Sequence, residues 1–215
     1  MSLLEFSSSI KKRGKILNEI IEHCQFLLNT APEAREAKDY LESRLPLHIT
    51  NQYKFGWFPP NQHLNLLSSA VSIEKLHWTK LVYEQVIWNG STPTNEEVSI
   101  LTHHNLFIPH YNLYNIPIAL AGRCLLSKEK RKELKIGKYK NTPFSKTLQL
   151  FNLENAKEHI FKCDSVIIVE GQIDCLALVN AGIKNVVALA GSAFSFYHLS
   201  LILRYTTKIY LLLDG

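Results

Sequence analysis

Three carboxylates carry the chemistry this sequence can offer. Glu170 follows the apolar run Ile167-Ile168-Val169 and precedes Gly171, and Asp174 stands four residues further on. Asp214 ends a second apolar run, Leu211-Leu212-Leu213, and again precedes a glycine, Gly215. Buried parallel strands read as continuous apolar runs, and open α/β sheets place their chemistry at the carboxyl ends of such strands. Glu170 and Asp214 are therefore expected side by side at one sheet edge. Asp174 falls in the first turn of the next helix, where a carboxylate complements the helix dipole and points back to that edge. Carboxylates with no basic partner nearby in sequence suit a hard divalent cation. Singly, Asp174 is equally explained as a dipole partner and Glu170 as a loop residue; the repeated carboxylate–glycine strand end favours a site.

The elements that must position these groups follow from periodicity. From Ser165 onward the pattern is βαβαβ: strand Val166–Val169, helix Ile173–Ala181, strand Asn185–Leu189, helix Phe194–Tyr205, strand Lys208–Leu213, preceded by a helix over Leu153–Lys162. That alternation predicts a parallel sheet covered by helices. The first hundred residues read as mostly helical. One helix is expected over Lys11–Leu28, a second from a capping box at Thr30 to Arg44, and two more over Gln62–Ala70 and Ile73–Ile87. Lys54–Pro60 reads as a short strand into a turn, and Gly90–Thr94 as a linker. Leu106–Pro109 and Ile116–Ala121 read as a β-hairpin whose prolines favour edge positions. The expected class is thus α/β within an α+β whole. A mainly helical N-terminal subdomain with a hairpin and basic loop (1–160) precedes a parallel-sheet α/β subdomain (161–215).

Charge is unevenly spread. The 215 residues carry a net charge of +5, but Ser127–Lys146 holds eight basic residues against two acidic ones, a net +6, which leaves the rest at −1. A concentrated basic stretch points to a phosphate-bearing partner, and a solvated lysine-rich loop is the plain alternative. Lys128, Lys130, Arg131 and Lys132 read as such an exposed loop. Tyr139, within the stretch, fits either stacking on a base or packing on its own hairpin. With 46% apolar and 20% charged residues the chain is globular. No apolar run reaches eighteen residues, so no membrane span is expected. The scattered Cys24, Cys124, Cys163 and Cys175 form no CxxC pair, which argues against a zinc site and suits a reducing, cytoplasmic setting. His103 and His104 are adjacent and make a poor chelating pair. Trp57, Trp78 and Trp88 read as packing residues.

Val169-Glu170-Gly171-x-x-Asp174, Gly191-Ser192-Ala193 and Leu212-Leu213-Asp214-Gly215 resemble a Toprim domain, found in primases, topoisomerases and some nucleases. Upstream, Gly137-Lys138-Tyr139-Lys140-Asn141-Thr142-Pro143, Phe144-Ser145-Lys146 and Leu150-Phe151-Asn152-Leu153 resemble the loop preceding Toprim in bacterial DnaG-type primases. Leu106-Phe107-Ile108-Pro109 and Ala121-Gly122-Arg123 resemble that family's hairpin. Tyr40-Leu41-Glu42-Ser43-Arg44 and Phe55-Gly56-Trp57-Phe58-Pro59-Pro60 resemble its helical start. The resemblance runs in the family's order from about Ala37 to Gly215.

This resemblance implies a DNA-directed RNA polymerase that makes short primers from ribonucleoside triphosphates on a single-stranded DNA template. In that family the Toprim acidic cluster holds divalent ions, here Mg²⁺ or Mn²⁺ and two or more of them. Such ions activate the attacking oxygen and stabilise the charge of the leaving pyrophosphate. The implied metal ligands are Glu170 and Asp214, with Asp174 as a second catalytic carboxylate; Glu170 as ligand or as base both stay open. Arg123, Lys138, Asn141 and Lys146 match positions that face template or nucleotide, which predicts salt-sensitive, sequence-tolerant binding. The implied partner beyond the template is a replicative helicase, reached through a C-terminal region not included in the sequence.

The pattern also departs from the family. His103 and Asn105 stand where arginines usually precede the hairpin strand, the spacing from Pro143 to Phe144 is tighter, and no zinc ribbon precedes the core. The family's Asp-x-Asp would place its second aspartate at residue 216. The expectation is a primase core cut within Toprim, inactive or weak as it stands. The alternatives are a non-catalytic single-stranded-DNA-binding module, or another Toprim enzyme such as a nuclease or topoisomerase; the Lys138–Lys146 loop argues against the last.

Overall fold

The computed structural model describes residues 3–89, 92–191 and 193–213, with side chains from Ser8 onward except Trp88 and Asn89. In chain order the elements are α1 (Leu3–Thr30), α2 (Arg35–Glu42), α3 (Leu47–Gln52), β1 (Gly56–Trp57), α4 (Asn65–Ser68), α5 (Ile73–Trp78), β2 (Val82–Asn89) and β3 (Thr92–Ser99). They continue with β4 (Leu106–Tyr111), β5 (Pro117–Arg123), α6 (Lys128–Glu133), β6 (Tyr139–Asn141), α7 (Leu153–Cys163), β7 (Val166–Val169), α8 (Gln172–Asn180), β8 (Val186–Ala188), α9 (Phe196–Ile202) and β9 (Ile209–Leu212). Short 3₁₀ turns lie at Pro32–Ala34, Asn61–His63 and Lys146–Leu148. The chain forms two compact units. One comprises Met1–Tyr40, Tyr53–Pro109 and Pro117–Thr142; the other Leu41–Gln52, His110–Ile116 and Pro143–Gly215.

In the first unit, α1 presents Ile16, Leu17, Ile20, Ile21 and Cys24 at helical spacing, and these side chains are buried with Phe58, Leu67, Leu101, Phe107 and Leu120. The sheet beneath has the order β1-β4-β5-β6. The hairpin strands are therefore central, not at an edge as their prolines suggested. Backbone parity explains how Pro109 is tolerated there. Phe58 donates to the Asn105 carbonyl, and Gly56 pairs with Phe107, so residues 105, 107 and 109 turn their backbone groups toward β1. β1 is only two residues long, and Pro109 falls beyond it, where no N–H is needed. Pro117 is the first residue of β5, the other position a strand allows.

Three expectations in this unit are corrected. Thr30 does not cap a second helix. It ends α1 with its hydroxyl donated back to the Phe26 carbonyl, and the next turn starts at Pro32 with no side-chain cap. The helix expected over Ile73–Ile87 stops at Trp78; Thr79 bonds back to Lys75 and Leu76, and Lys80 adopts a left-handed conformation (φ 60). Val82–Asn89 then pairs antiparallel with Thr92–Ser99, because a β-branched and aromatic run gains more from cross-strand packing than from helix. The expected linker at Gly90–Thr94 is thus the tip of a hairpin, of which Gly90 and Ser91 lie outside the described residues. The lysine-rich stretch is not an extended loop either: Lys128–Glu133 is a short exposed helix capped by Ser127, which accepts from the Lys130 N–H. Trp57 is buried as expected, whereas Trp78 is 42% exposed under the Lys12 ammonium; the Trp88 side chain lies outside the described residues.

In the second unit the sheet is parallel, with order β8-β7-β9. Its core is Leu150, Leu153, Ala156, Ile160, Val166, Ile168, Val187, Leu189 and Ile202. The expected βαβαβ order holds, with element ends shifted by one to three residues. Residues 143–160 group with this sheet rather than with the N-terminal part, so the unit begins earlier than the 160/161 division expected from sequence. The reason is packing: Leu150, Leu153, Ala156 and Ile160 fill its core, and Phe151 bridges Ala188. Among the described residues no helix is long and apolar enough to cross a membrane.

Candidate functional site

On the first unit, β5 and β6 pair so that Arg123 lies opposite Tyr139, Gly122 opposite Lys140 and Ala121 opposite Asn141. Arg123, Tyr139 and Asn141 therefore share one face of the ribbon. The Arg123 guanidinium carbon lies 4.6 Å from the centre of the Tyr40 ring and 5.2 Å from that of Tyr139. An Nη1 group also donates to the Tyr139 hydroxyl. The stacking places a planar cation where little side-chain entropy remains to be lost on binding, and such contacts contribute about 0.5–2 kcal/mol each. Arg123 Nε is buried and has no hydrogen-bond partner among the described residues. Lys138 follows the same pattern, its ammonium 5.8 Å from the Tyr139 ring centre. The ribbon's other side is supported by His104, whose ring bonds the Gly137 carbonyl at 3.0 Å. Burial pushes that imidazole's pKa down, which keeps it a neutral donor. Gly122 is required here: a Cβ would lie 2.6 Å from the His104 carbonyl oxygen.

On the second unit, Glu170 is exposed at the carboxyl end of β7. Across the sheet Val169 pairs with Leu212, so Glu170 is level with Leu213. Asp214 itself lies outside the described residues. Asp174 sits in the first turn of α8, and its carboxylate folds back so far that a Cβ on Gly171 would meet Oδ2 at 2.3 Å. The spacing Glu170-Gly171-x-x-Asp174 thus has a steric reason: the glycine makes room for the second carboxylate.

The turn is held from beneath. Gln172, the first residue of α8, places its Nε2 2.8 Å from His110 Nε2. The amide is a donor, so His110 must accept through that nitrogen, a tautomer inferred from the network. His110 is packed against Phe144 and Phe151, at centroid distances of 4.9 and 5.5 Å. Burial, with the nearby Lys146 charge, pushes its pKa down to about 4, so it remains a neutral acceptor near pH 7. Glu154 is also buried in this unit, and its pKa is pushed up to about 7 by burial.

The structure brings together Arg123, Lys138 and Asn141 on the β5–β6 face, and Glu170 and Asp174 at the β7–α8 turn. Lys146 lies in the second unit, on the 3₁₀ turn Lys146–Leu148. His103 is not on the β5–β6 face; it lines a cavity of about 210 Å³ with Asn105, His63 and Trp57. Sequence reasoning gave no role to Tyr40, Gln172 or His110. The hairpin register could have paired Arg123 with Tyr139, but nothing local links either to Tyr40. Among the described residues no cluster of three or more His, Cys, Asp or Glu is arranged to hold a metal ion, and all four cysteines are free.

Fold and site define a class: a Toprim-like parallel sheet with strand-end carboxylates, joined in one chain to a helical, hairpin-bearing unit with a basic aromatic face. Residues 167–215 match the family model described as Toprim-like. The chain is 30% identical over 212 residues to the DNA primase of Aquifex aeolicus, covering 96% of this chain and 40% of that protein. Among solved structures, the Aquifex aeolicus primase with its zinc-binding and RNA polymerase domains superposes with a TM-score of 0.77 at 26% identity, over 100% of this chain and 51% of that one. A DnaG primase catalytic domain bound to ssDNA shares the fold, with a TM-score of 0.76 at 21% identity over 97% of this chain and 63% of that one. In sequence and in fold, the chain is similar nearly end to end to the catalytic core of DnaG-type DNA primases. It spans about 40% of the length of the curated relatives it matches.

Proposed function

We propose that this chain is the catalytic core of a DNA primase, which synthesises short RNA primers on single-stranded DNA by metal-dependent nucleotidyl transfer. The observation that carries the reading is the β7–α8 turn. Glu170 stands exposed at a parallel strand end, and Asp174 is folded back over Gly171 toward the same turn. These are hard oxygen donors, the chemistry that suits Mg²⁺ or Mn²⁺, and Mg²⁺ in particular is held by one or two carboxylates completed by substrate phosphates. Glu170 and Asp214 are assigned as the metal ligands and Asp174 as the supporting carboxylate. When bound, the ions supply activation of the 3′ hydroxyl and neutralisation of the leaving pyrophosphate.

The remaining work belongs to this chain's own side chains. Arg123, held flat between Tyr40 and Tyr139, and Lys138 and Asn141 beside it, bind and orient phosphates of template or nucleotide; Lys146 does the same from the second unit. The Gln172–His110 pair fixes the start of α8, and with it the direction of both carboxylates. The ssDNA-bound DnaG neighbour supports a single-stranded DNA template as the partner. Ribonucleoside triphosphates are the substrates in this reading, with a replicative helicase reached through residues outside this chain, in the cytoplasm.

The test is primer synthesis from ribonucleoside triphosphates on single-stranded DNA with Mg²⁺ or Mn²⁺, using the full-length protein. Wild type is expected to make dinucleotides and longer primers. Glu170→Gln, which keeps size and removes the charge, is expected to lower the rate on the order of 10²-fold or more and to leave DNA affinity within twofold. DNA binding without any dinucleotide, unchanged by Glu170→Gln, would leave only the binding-module alternative standing.

A further inference from the structure

The start of α9 carries aromatic side chains that the core of the second unit does not use. Phe196 is 80% exposed, Tyr197 60% and Phe194 40%, while the neighbouring His198 is fully buried. Large rings left in water next to a buried polar residue mark a surface kept for contact. Two hydrogen bonds fix where that surface stands. The Ser195 hydroxyl donates to the Thr147 carbonyl at 2.8 Å, and His198 Nε2 bonds the Lys146 carbonyl at 3.0 Å. The Ser195 N–H is directed at His198 Nδ1, so the ring proton lies on Nε2 and His198 is the donor to Lys146. The aromatic turn is therefore pinned to the 3₁₀ turn that carries Lys146.

Exposed rings fixed beside a cation match an unstacked base and its phosphate, since every base has a π-face and stacking tolerates any sequence. Charge favours the same occupant: the chain is net positive, so a polyanion is attracted to this face where a second copy would be repelled. We propose that Phe196 and Tyr197, flanked by Phe194, form a base-stacking platform for single-stranded nucleic acid, with Lys146 taking the adjoining phosphate. The proposal rests on the primase reading and adds to it the surface on which template or primer bases lie as they pass the second unit.

The probe is a 16-nucleotide oligo(dT), fluorescein-labelled for anisotropy and 5-iodouracil-substituted for photo-crosslinking, applied to the 215-residue chain. Crosslinks are expected on the peptide holding Phe194–Tyr197. Phe196→Ala with Tyr197→Ala is expected to raise Kd about tenfold with an unchanged Tm, because both rings are exposed. Phe196→Leu is expected to lose most of Phe196's share, since an apolar side chain without a π-face does not stack. Unchanged affinity in the double variant with crosslinks elsewhere overturns the platform. So does a concentration-dependent dimer abolished by the same substitutions, which would give the face to a second copy. The two readings fail separately: a full-length wild type that makes no primers removes the primase reading, whereas normal primer synthesis with an indifferent double variant removes only the platform.

Discussion

On the β5–β6 face Arg123 is held by side chains, with a tyrosine ring against the guanidinium from each of two distant parts of the chain and a hydroxyl accepting one of its N–H groups. At the β7–α8 turn Glu170 and Asp174 are held by backbone: a strand end, a glycine and the first turn of a helix. The difference is chemical. A phosphate-binding cation gains from being flat and immobile before its ligand arrives, so aromatic stacking is suited to it. Carboxylates meant for a metal must keep their oxygens free of protein donors, so they are better aimed by the main chain and left exposed. The comparison teaches that recognition here is stored in side-chain packing, and catalysis in topology.

The largest effect that sharpens this contrast lies beneath the carboxylate turn. If backbone holds the turn, the neutral His110–Gln172 pair must stay neutral. His110 titrates at about 4 in the fold against an ordinary 6.5, so protonation as pH falls from 6.5 toward 4 favours the unfolded chain and stability is lost. Glu154 titrates at about 7 against an ordinary 4.5, so stability is lost as pH rises from 4.5 to 7. Each contribution is of order 3 kcal/mol, and over the shared window they oppose one another. Wild type is expected to show little net slope from these two groups between pH 4.5 and 6.5. Glu154→Gln is expected to uncover His110 alone, with stability rising through that window by urea denaturation. A flat profile in the variant would break the claim that a buried neutral histidine supports the turn.

The smaller effect tests the other face. Arg123→Lys keeps the charge but loses the planar stack, and is expected to weaken single-stranded DNA binding about three- to tenfold with an unchanged salt slope. Arg123→Ala is expected to lower that slope by about one. Equal affinity for Arg and Lys would mean that the tyrosines do not preorganise the cation.

Much of the second unit is legible in the sequence, because Ile167–Val169 and Leu211–Leu213 are continuous apolar runs of a kind only a buried parallel strand requires. The Asp174 position was legible too, though not the steric reason for Gly171. The first unit was harder. Val82–Asn89 continues the apolar spacing of α5 closely enough to pass for helix, and only pairing with Thr92–Ser99 decides otherwise. Lys128–Glu133 has no apolar face, so periodicity could not reveal a helix that rests on its Ser127 cap. Pro109 pointed to an edge because the shortness of β1, which excuses it, is a property of a different segment. Tyr40 was out of reach for a similar reason: its partner Arg123 is brought to it by tertiary folding alone.

The most direct test of this division of labour is Mn²⁺ titration of the isotope-labelled chain followed by NMR. Paramagnetic broadening is expected first at the amides of Glu170–Asp174, with Gly122–Arg123 and Tyr139–Asn141 remaining sharp, and the effect is expected to disappear in Glu170→Gln. Broadening that begins on the β5–β6 ribbon, or that survives Glu170→Gln unchanged, would contradict the assignment of the metal to the strand-end carboxylates.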